Sequence, residues 1–352
     1  MNTTLRIPVP AVGFHPPVYA CQYTEKPFIP DGNLEKDFWQ GIPFTELFND
    51  IEGDIRPKPR FHTRAKLAWD AENLYIGAVL EGDEIWATLR EHDCVIFNDN
   101  DFEIFIDPDS DTQGYYEYEM NALNTYWDLL LTKAYRDGGK PVDGFELTGL
   151  RSAVRVDGIL NEPGARNNAW TVEVAIPFAV LRQCTPASQP PKAGEFYRVN
   201  FSRVQWKVDV VNGAYQKRLD AATGKPLPED NWVWAPTGVV NIHYPELWAF
   251  VFFAKDGAEV FEIPEDERRK WELRKLYYAE QAVLDQTGHY TDDLALLCDT
   301  LAAISPCEEN KTVCPLDYTL TVTPHSFEIT CPAEKSGVLA VFGDGRSAHF
   351  DA

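Results

Sequence analysis

The chain has 352 residues and a formal net charge of −23, with ten tryptophans, fifteen tyrosines and twenty phenylalanines. This length suits a large core domain with an appendage. The basic residues form no long run, which excludes nucleic acid as a partner and disfavours an anionic membrane surface, and no segment has the length of a membrane span.

Short strand-like runs begin at about Val18 and alternate with clusters of Pro, Gly, Asn and Asp, a pattern typical of an all-β sandwich. We therefore predict a mainly β fold. It should be a two-sheet antiparallel β-sandwich of the jelly-roll or immunoglobulin-like kind over residues 27–254, with residues 1–26 as an N-terminal extension that packs on it. The predicted strands are 64–70, 73–82, 101–107, 115–123, 126–131, 151–158, 170–178, 196–206 and 248–254.

The strand within residues 98–111, NDNDFEIFIDPDSD, alternates apolar and acidic residues, which predicts a half-buried strand with carboxylates on its open face. If Asp107 pairs with Tyr115 on the returning strand, Glu103 lies opposite Glu119. Two like charges in such a pair repel each other, so a cation, a shared proton or a polyhydroxylated ligand should compensate them. The alternative is that both glutamates are solvated on the outer face of a sandwich.

Three alternating carboxylates, Asp107, Asp109 and Asp111, follow this strand and resemble the start of a calcium loop. The loop is not an EF-hand, since Tyr118 stands at the twelfth position, where an EF-hand has a bidentate glutamate. A looser calcium site and an ordinary hairpin turn both remain open. We therefore expect no required cofactor, with calcium as an optional structural ion.

The composition changes near Lys255. Helix-forming residues follow Pro264, and an apolar stripe continues to about Gly288, which predicts an amphipathic helix. A second, shorter helix should follow with Thr291 as its N-cap. Strand-like runs then continue almost to the end of the chain. Residues 255–352 are therefore predicted to form a small α+β extension.

Several phrases, in order along the chain, resemble the family 9 carbohydrate-binding modules, which are non-catalytic β-sandwiches that accompany glycoside hydrolases. The resemblance covers roughly residues 27–254 and does not reach the C-terminal extension. The phrases are IPDGNLEKDFW (29–39), AKLAWDAENLYIGAVLEG (65–82), NDFEIFIDPD (100–109), WTVEVAIPFAVL (170–181), FYRVNFSR (196–203) and VWAPTGVVNIHYPELWAFVFF (233–253).

This resemblance implies a mono- or oligosaccharide held between aromatic rings, with charged side chains that bond its hydroxyls. It also implies structural calcium in some members, a glycoside hydrolase as partner, and an extracytoplasmic location. The first twenty residues nevertheless show no signal-peptide pattern, which leaves the compartment open.

Glu103 matches the family's acidic residue, Phe97 stands at the first aromatic clamp, and Glu119 stands where the family has an arginine. The second clamp tryptophan has no counterpart, so Trp86, Trp127, Trp234 and His243 are candidates for a rebuilt clamp. Trp232 and Trp234 flank Val233 and should place both rings on one face as an aromatic platform. The predicted ligand-binding residues are Phe97, Glu103, Glu119, Trp127, Arg203, Trp234 and His243. The possible cationic partners of the two glutamates are Arg64, Lys66, Arg90 and Arg203, of which Arg203 fits its strand best.

The predicted function is non-catalytic carbohydrate binding associated with polysaccharide or oligosaccharide breakdown, with no catalytic residues. One alternative is a glycoside hydrolase that uses Glu103 and Glu119, because opposed strand residues can hold carboxyls about 5 Å apart, as retaining enzymes do. An open sandwich face supplies no deep cleft for that chemistry. A second alternative is a protein-interaction module with a vestigial sugar site.

Overall fold

The computed structural model describes residues 5–26, 28–185, 189–257 and 259–351. Within those ranges, nineteen strands and two α-helices occur, with short 3-10 turns between them. In chain order they are β1 (Val18–Tyr23), β2 (Asn49–Asp50), β3 (Thr63–Trp69), β4 (Asn73–Glu81), β5 (Asp101–Asp107), β6 (Gln113–Asn121), β7 (Tyr126–Lys133), β8 (Pro141–Val142), β9 (Arg151–Asp157), β10 (Ala169–Pro177), β11 (Phe196–Gln205), β12 (Val208–Val211), β13 (Ala214–Lys217), β14 (Asp230–Val233), β15 (Ala249–Ala254), α1 (Glu265–Thr287), α2 (Leu294–Ile304), β16 (Thr319–Val322), β17 (Phe327–Pro332), β18 (Val338–Phe342) and β19 (Ser347–Phe350).

Thirteen of the described strands form one curled, mixed sheet, in the order β8-β7-β6-β5-β11-β15-β1-β3-β4-β10-β9, with β14 paired to β11 and β2 paired to β14. Residues from both halves of this order, such as Ile104 of β5 and Val174 of β10, share one hydrophobic core. The halves therefore face each other as two layers. The mainly β prediction is confirmed.

The prediction of two separate antiparallel sheets is wrong because of β1. This strand pairs in parallel with β15 on one side and with β3 on the other. It therefore joins the two halves into a single mixed sheet. The predicted N-terminal extension, residues 1–26, thus supplies a strand to the middle of the sheet order.

Strand β5 is buried along its whole length, whereas its sequence predicts one open face. Ile104 packs in the core between the layers, as its spacing indicates. On the opposite face, Phe105 lies 5.6 Å from the ring of Trp248, measured between ring centroids. Ile242 also packs against this second cluster. The segment before β15 therefore covers a face that the alternation assigns to solvent.

Glu173 of β10 anchors the segment that precedes β2. Its carboxylate is completely buried and accepts hydrogen bonds from the backbone of Asp31 and Gly32, both at 2.8 Å, and from Trp39 Nε1 at 2.6 Å. Gly32 has φ +79°, and a Cβ there would lie 2.6 Å from the backbone nitrogen of Arg155, so the turn requires glycine. The buried carboxylate of Glu173 thus holds segment 29–39, the first of the phrases that resemble the family, against the sheet.

The C-terminal extension has its own core, in which Trp271 and Leu276 of α1 pack with Ile329 and Val341 of β17 and β18. The predicted helix near 264–288 corresponds to α1, which ends at Thr287 before Gly288. The N-cap of α2 is Asp293 rather than the predicted Thr291, because the Asp293 side chain accepts the first free backbone N–H groups. Among the described helices, neither is long and apolar enough to cross a bilayer.

A buried ionic junction links this extension to the large sheet. Glu246, just before β15, accepts a hydrogen bond of 2.8 Å from Arg136, which follows β7, and another from the hydroxyl of Tyr278 on α1. Arg274 of α1 lies 3.8 Å from the same carboxylate. All four side chains are buried, so the junction holds opposite charges in a medium where their attraction is strong.

Candidate functional site

The sheet register aligns one side chain from each of four strands. Glu103 of β5 pairs with Ser202 of β11 on one side and with Glu119 of β6 on the other, and Glu119 pairs in turn with Trp127 of β7. The predicted register, which places Glu103 opposite Glu119, is confirmed. Because paired residues point to the same face, the four side chains form a continuous row.

This row lies in the floor of a cavity of about 340 Å³. The volume falls in the usual range for small-molecule sites. Its walls come from loops on both sides of the row, and segment 240–243 contributes four consecutive residues. The lining residues are Ile51, Phe97, Glu103, Glu117, Glu119, Trp127, Leu129, Tyr135, Ser202, Val204, Glu229, Asn231, Val240, Asn241, Ile242 and His243.

Five of the seven predicted ligand-binding residues line the cavity. They are Phe97, Glu103, Glu119, Trp127 and His243. Sequence reasoning missed Glu117, although its position two residues before Glu119 on the same strand places it on the same face. It also missed Tyr135, Glu229 and Asn231, which lie outside the hairpin of β5 and β6. No pattern in the sequence marked these three as binding residues.

The glutamates of the floor are buried, contrary to the alternative that they are solvated. Glu103, Glu117 and Glu119 have only 6%, 5% and 2% of their surface exposed. Ser202 donates a hydrogen bond to Glu103, and the backbone N–H of Phe97 donates one to Glu119 at 3.1 Å. Glu117 Oε2 has no hydrogen-bond partner among the described residues.

Burial raises the pKa of all three glutamates, because a charged carboxylate loses its hydration. The pKa of Glu103 rises to about 7, and Glu229 adds to the shift. The pKa of Glu117 rises to about 8, with the negative charge of Glu103 as the second cause. The pKa of Glu119 rises well above its usual value through burial and repulsion from both neighbours. The predicted shared proton thus has a physical basis.

Aromatic rings complete the walls. Phe97, the residue at the predicted first clamp, has 40% of its surface exposed, and Trp127 is partly exposed. The ring of His243 lies 4.6 Å from that of Tyr135, and its Nδ1 is 2.9 Å from the hydroxyl of Tyr115. Burial, with a smaller contribution from Arg136, lowers the pKa of His243 to about 3, so the ring is neutral near pH 7.

Arg203, the expected cationic partner of the glutamates, lies on the other face of β11. Its neighbour Ser202 points into the cavity, and alternation along a strand sends Arg203 to the opposite side. There its guanidinium bonds Thr63 Oγ1 at 3.0 Å and the side chain of Gln205. The expectation that Arg203 compensates Glu103 and Glu119 is therefore wrong.

Trp234 is also placed away from the cavity, in the core between the layers, with 1% of its surface exposed. Its ring stacks on Phe201 at 5.6 Å, and its Nε1 donates to Glu46 at 2.9 Å. Trp232 belongs to the same core. The predicted aromatic platform is therefore wrong, because the face that the two rings share is the inner one.

Two groups of carboxylates near this site have the spacing of a metal cluster, with oxygen atoms within 4.8 Å of one another. One group is Asp101, Glu103 and Glu119, in the cavity floor and beside it. The other is the predicted loop group of Asp107, Asp109 and Asp111. In this loop, Asp107 accepts backbone N–H groups from Ser110 and Thr112, both at 3.0 Å. Its carboxylate therefore also organises the turn.

Residues 29–196 match a family model described as carbohydrate family 9 binding domain-like. Similar solved structures include a candidate carbohydrate-binding protein from Bacteroides uniformis, with 16% identity and a TM-score of 0.49, covering 67% of this chain and 99% of that one. They also include a family 9 carbohydrate-binding module from Caldicellulosiruptor kristjanssonii, which was solved in complex with cellotriose and with glucose. The cellotriose complex has 15% identity and a TM-score of 0.43, and the glucose complex has 14% identity and a TM-score of 0.42. Each match covers 70% of this chain and 99% of the other chain. None of the curated proteins gives a significant match. The resemblance proposed from the sequence phrases is confirmed.

Proposed function

We propose, from the match of residues 29–196 to the carbohydrate family 9 binding domain-like model, that the chain binds a mono- or oligosaccharide without chemistry of its own. The observation that carries the proposal is the cavity of about 340 Å³, where aromatic rings border a floor of hydrogen-bonding side chains. A sugar needs both, since its C–H face packs on rings while its hydroxyls need partners to replace water.

The ligand would occupy the floor formed by Glu103, Glu119 and Ser202, with Phe97 and Trp127 beside it. Oligosaccharides released from polysaccharides are the ligands that the family resemblance predicts. Action beside a glycoside hydrolase is part of the same proposal.

Removal of the Phe97 ring is expected to weaken sugar binding about tenfold, a loss of about 1.4 kcal/mol, as an aromatic contact of this size contributes. The measurement is calorimetry of Phe97→Ala against glucose, cellotriose and a wider panel of mono- and oligosaccharides. Phe350→Ala is the matched control, because Phe350 is similarly exposed, at 47%, but lies on β19 in the C-terminal extension. It should bind like the unmodified protein.

Two results would overturn this proposal. If the unmodified protein bound no sugar of the panel, a protein-interaction module with a vestigial sugar site would be favoured. Hydrolysis of aryl glycosides that disappears in Glu103→Gln would favour the glycosidase alternative, for which the buried carboxyls and the cavity are the supporting observations. Against the enzyme stands the raised pKa of both Glu103 and Glu119, because a retaining mechanism needs one carboxyl kept ionised as the nucleophile.

We also propose that calcium, when bound, is structural and sits at Asp107, Asp109 and Asp111. Oxygen-rich groups suit this ion, and Asp109 Oδ1 has no hydrogen-bond partner among the described residues. Millimolar calcium should raise the melting temperature by several degrees, as mass action predicts for a site of about 0.1 mM affinity. A chelator should reverse the rise, and Asp109→Asn should reduce it. No shift at 10 mM calcium would contradict the proposal.

A further inference from the structure

The cavity is lined by several acidic side chains and no basic one among its described lining residues. Four glutamates line it, Glu103, Glu117, Glu119 and Glu229, and none of its described lining residues is lysine or arginine. His243 is neutral near pH 7. Buried carboxylates in proteins are normally paired with a cation or a metal, because an unpaired buried charge is costly. The counter-charge for this floor is therefore not supplied by the residues that line it.

Glu117 is the member of this group whose bonding is incomplete. Its side chain belongs to the cavity lining and only 5% of its surface is exposed, yet Oε2 has no hydrogen-bond partner in the described chain. Buried polar atoms in folded proteins nearly always have a partner. The described residues therefore leave one buried oxygen of the Glu117 carboxyl without a donor, beside its contact with Glu119.

The walls suit a cation that carries a carbon skeleton. Phe97, Trp127 and Tyr135 border the same space as the glutamates, and aromatic rings attract ammonium groups as well as C–H faces. The volume of about 340 Å³ accommodates an organic ligand and far exceeds one bare metal ion. Carboxylates beside rings are thus a setting in which an ammonium group binds better than a neutral hydroxyl.

We propose that this cavity prefers saccharides that carry a protonated amino group, with the ammonium donating to Glu117 and the sugar ring lying against Phe97 and Trp127. The inference rests on the proposed sugar binding and adds the charge class of the ligand. A hydrogen bond between an ammonium group and a carboxylate is stronger than one from a neutral hydroxyl, so the amino sugar should bind about tenfold more tightly than its neutral counterpart, a difference of about 1.4 kcal/mol.

The ionisable groups that interact electrostatically with Glu117 include no lysine or arginine among the described residues. They are Asp101, Glu103, Glu119, Tyr115 and Tyr135, and the neutral His243 lines the same cavity.

The test is calorimetry at pH 6.5 with three matched ligands: glucosamine, glucose and N-acetylglucosamine. Glucosamine should bind about tenfold tighter than the other two. Glu117→Gln should bring the ratio of glucosamine to glucose affinity close to one. Glu35→Gln, which removes an exposed carboxylate outside the cavity, should keep the ratio.

Three other outcomes would contradict the amino-sugar preference or the sugar binding on which it rests. Equal binding of the three sugars by the unmodified protein would refute the amino-sugar preference and leave sugar binding intact. Binding of none of them, alone or as oligosaccharides, would refute both proposals. Glucose binding that appears only with added calcium or magnesium would assign the counter-charge to a metal at Asp101, Glu103 and Glu119, and would also refute the ammonium proposal. All three outcomes are measured on the unmodified protein, so the test stands even if Glu117→Gln fails to fold.

Discussion

Replacing Glu246 by glutamine is expected to lower the free energy of unfolding by about 3 kcal/mol or more. The carboxylate faces two buried guanidiniums, bonded to that of Arg136 and 3.8 Å from that of Arg274. Burial alone would raise the pKa of Glu246, but the two arginines outweigh it and lower the pKa to about 2. Without the negative charge, buried Arg274 loses its ion-pair partner among the described residues and Arg136 keeps Asp137, which costs far more than loss of an exposed pair.

The matched control is Glu265→Gln, which removes the charge from an exposed pair with Arg269 on the same extension. Surface pairs of this kind contribute at most about 1 kcal/mol. Urea unfolding of the two variants and the unmodified protein, followed by both far-UV circular dichroism and tryptophan fluorescence, measures the difference. Equal midpoints for Glu246→Gln and Glu265→Gln would show that the junction does not hold the extension on the sheet.

Raising the pH from about 6.5 to about 8.5 is expected to destabilise the ligand-free protein. Folding raises the pKa of Glu103 from 4.5 to about 7 and that of Glu117 from 4.5 to about 8. Between 4.5 and those values the folded state binds more protons than the unfolded state. The free energy of unfolding therefore falls as pH rises, and the fall ends above the folded values. Each group contributes at most about 1.4 kcal/mol per pH unit.

His243 has the opposite effect at lower pH. Its pKa falls from 6.5 to about 3 on folding, so it adds stability as pH rises up to 6.5. Above pH 6.5, Glu103 and Glu117 determine how the free energy of unfolding changes with pH. Urea unfolding should therefore be measured at pH 6.5, 7.5 and 8.5. Glu117→Gln should show a shallower fall than the unmodified protein, and Glu35→Gln the same fall. Parallel curves for all three proteins would mean that the cavity carboxyls do not titrate in this range.

The hairpin of β5 and β6 shows which features of the site can be predicted from the sequence and which cannot. Alternation and the turn length gave the register that pairs Glu103 with Glu119, because both depend on neighbours within about twenty residues. Burial of the same glutamates depends on the segment around Ile242, which lies far away in sequence and covers the outer face of the strands. Local patterns carry no information on that contact, so the site was expected on an open surface.

The wrong assignments of Arg203 and Trp234 have a related cause. Arg203 lies on β11, which is buried on both faces, and Trp234 directly follows β14 and lies in the core, so alternation alone does not identify the face that points to the core. Arg203 is the harder case, because an arginine in the interior contradicts the usual distribution of charge. Its bonds to Thr63 and Gln205 and its contact with the Trp232 ring satisfy it there. Only the packed structure reveals those partners.

The position of β1 bears on the order in which the protein can form during synthesis. This strand is made among the first residues, yet one of its two sheet neighbours, β15, ends at Ala254. The ribosome must therefore release nearly three quarters of the chain before β1 can close the sheet between β3 and β15. Contacts that span so many residues form slowly and leave strand edges open meanwhile. The nascent chain should accordingly depend most on protection from aggregation until the strand near residue 254 emerges.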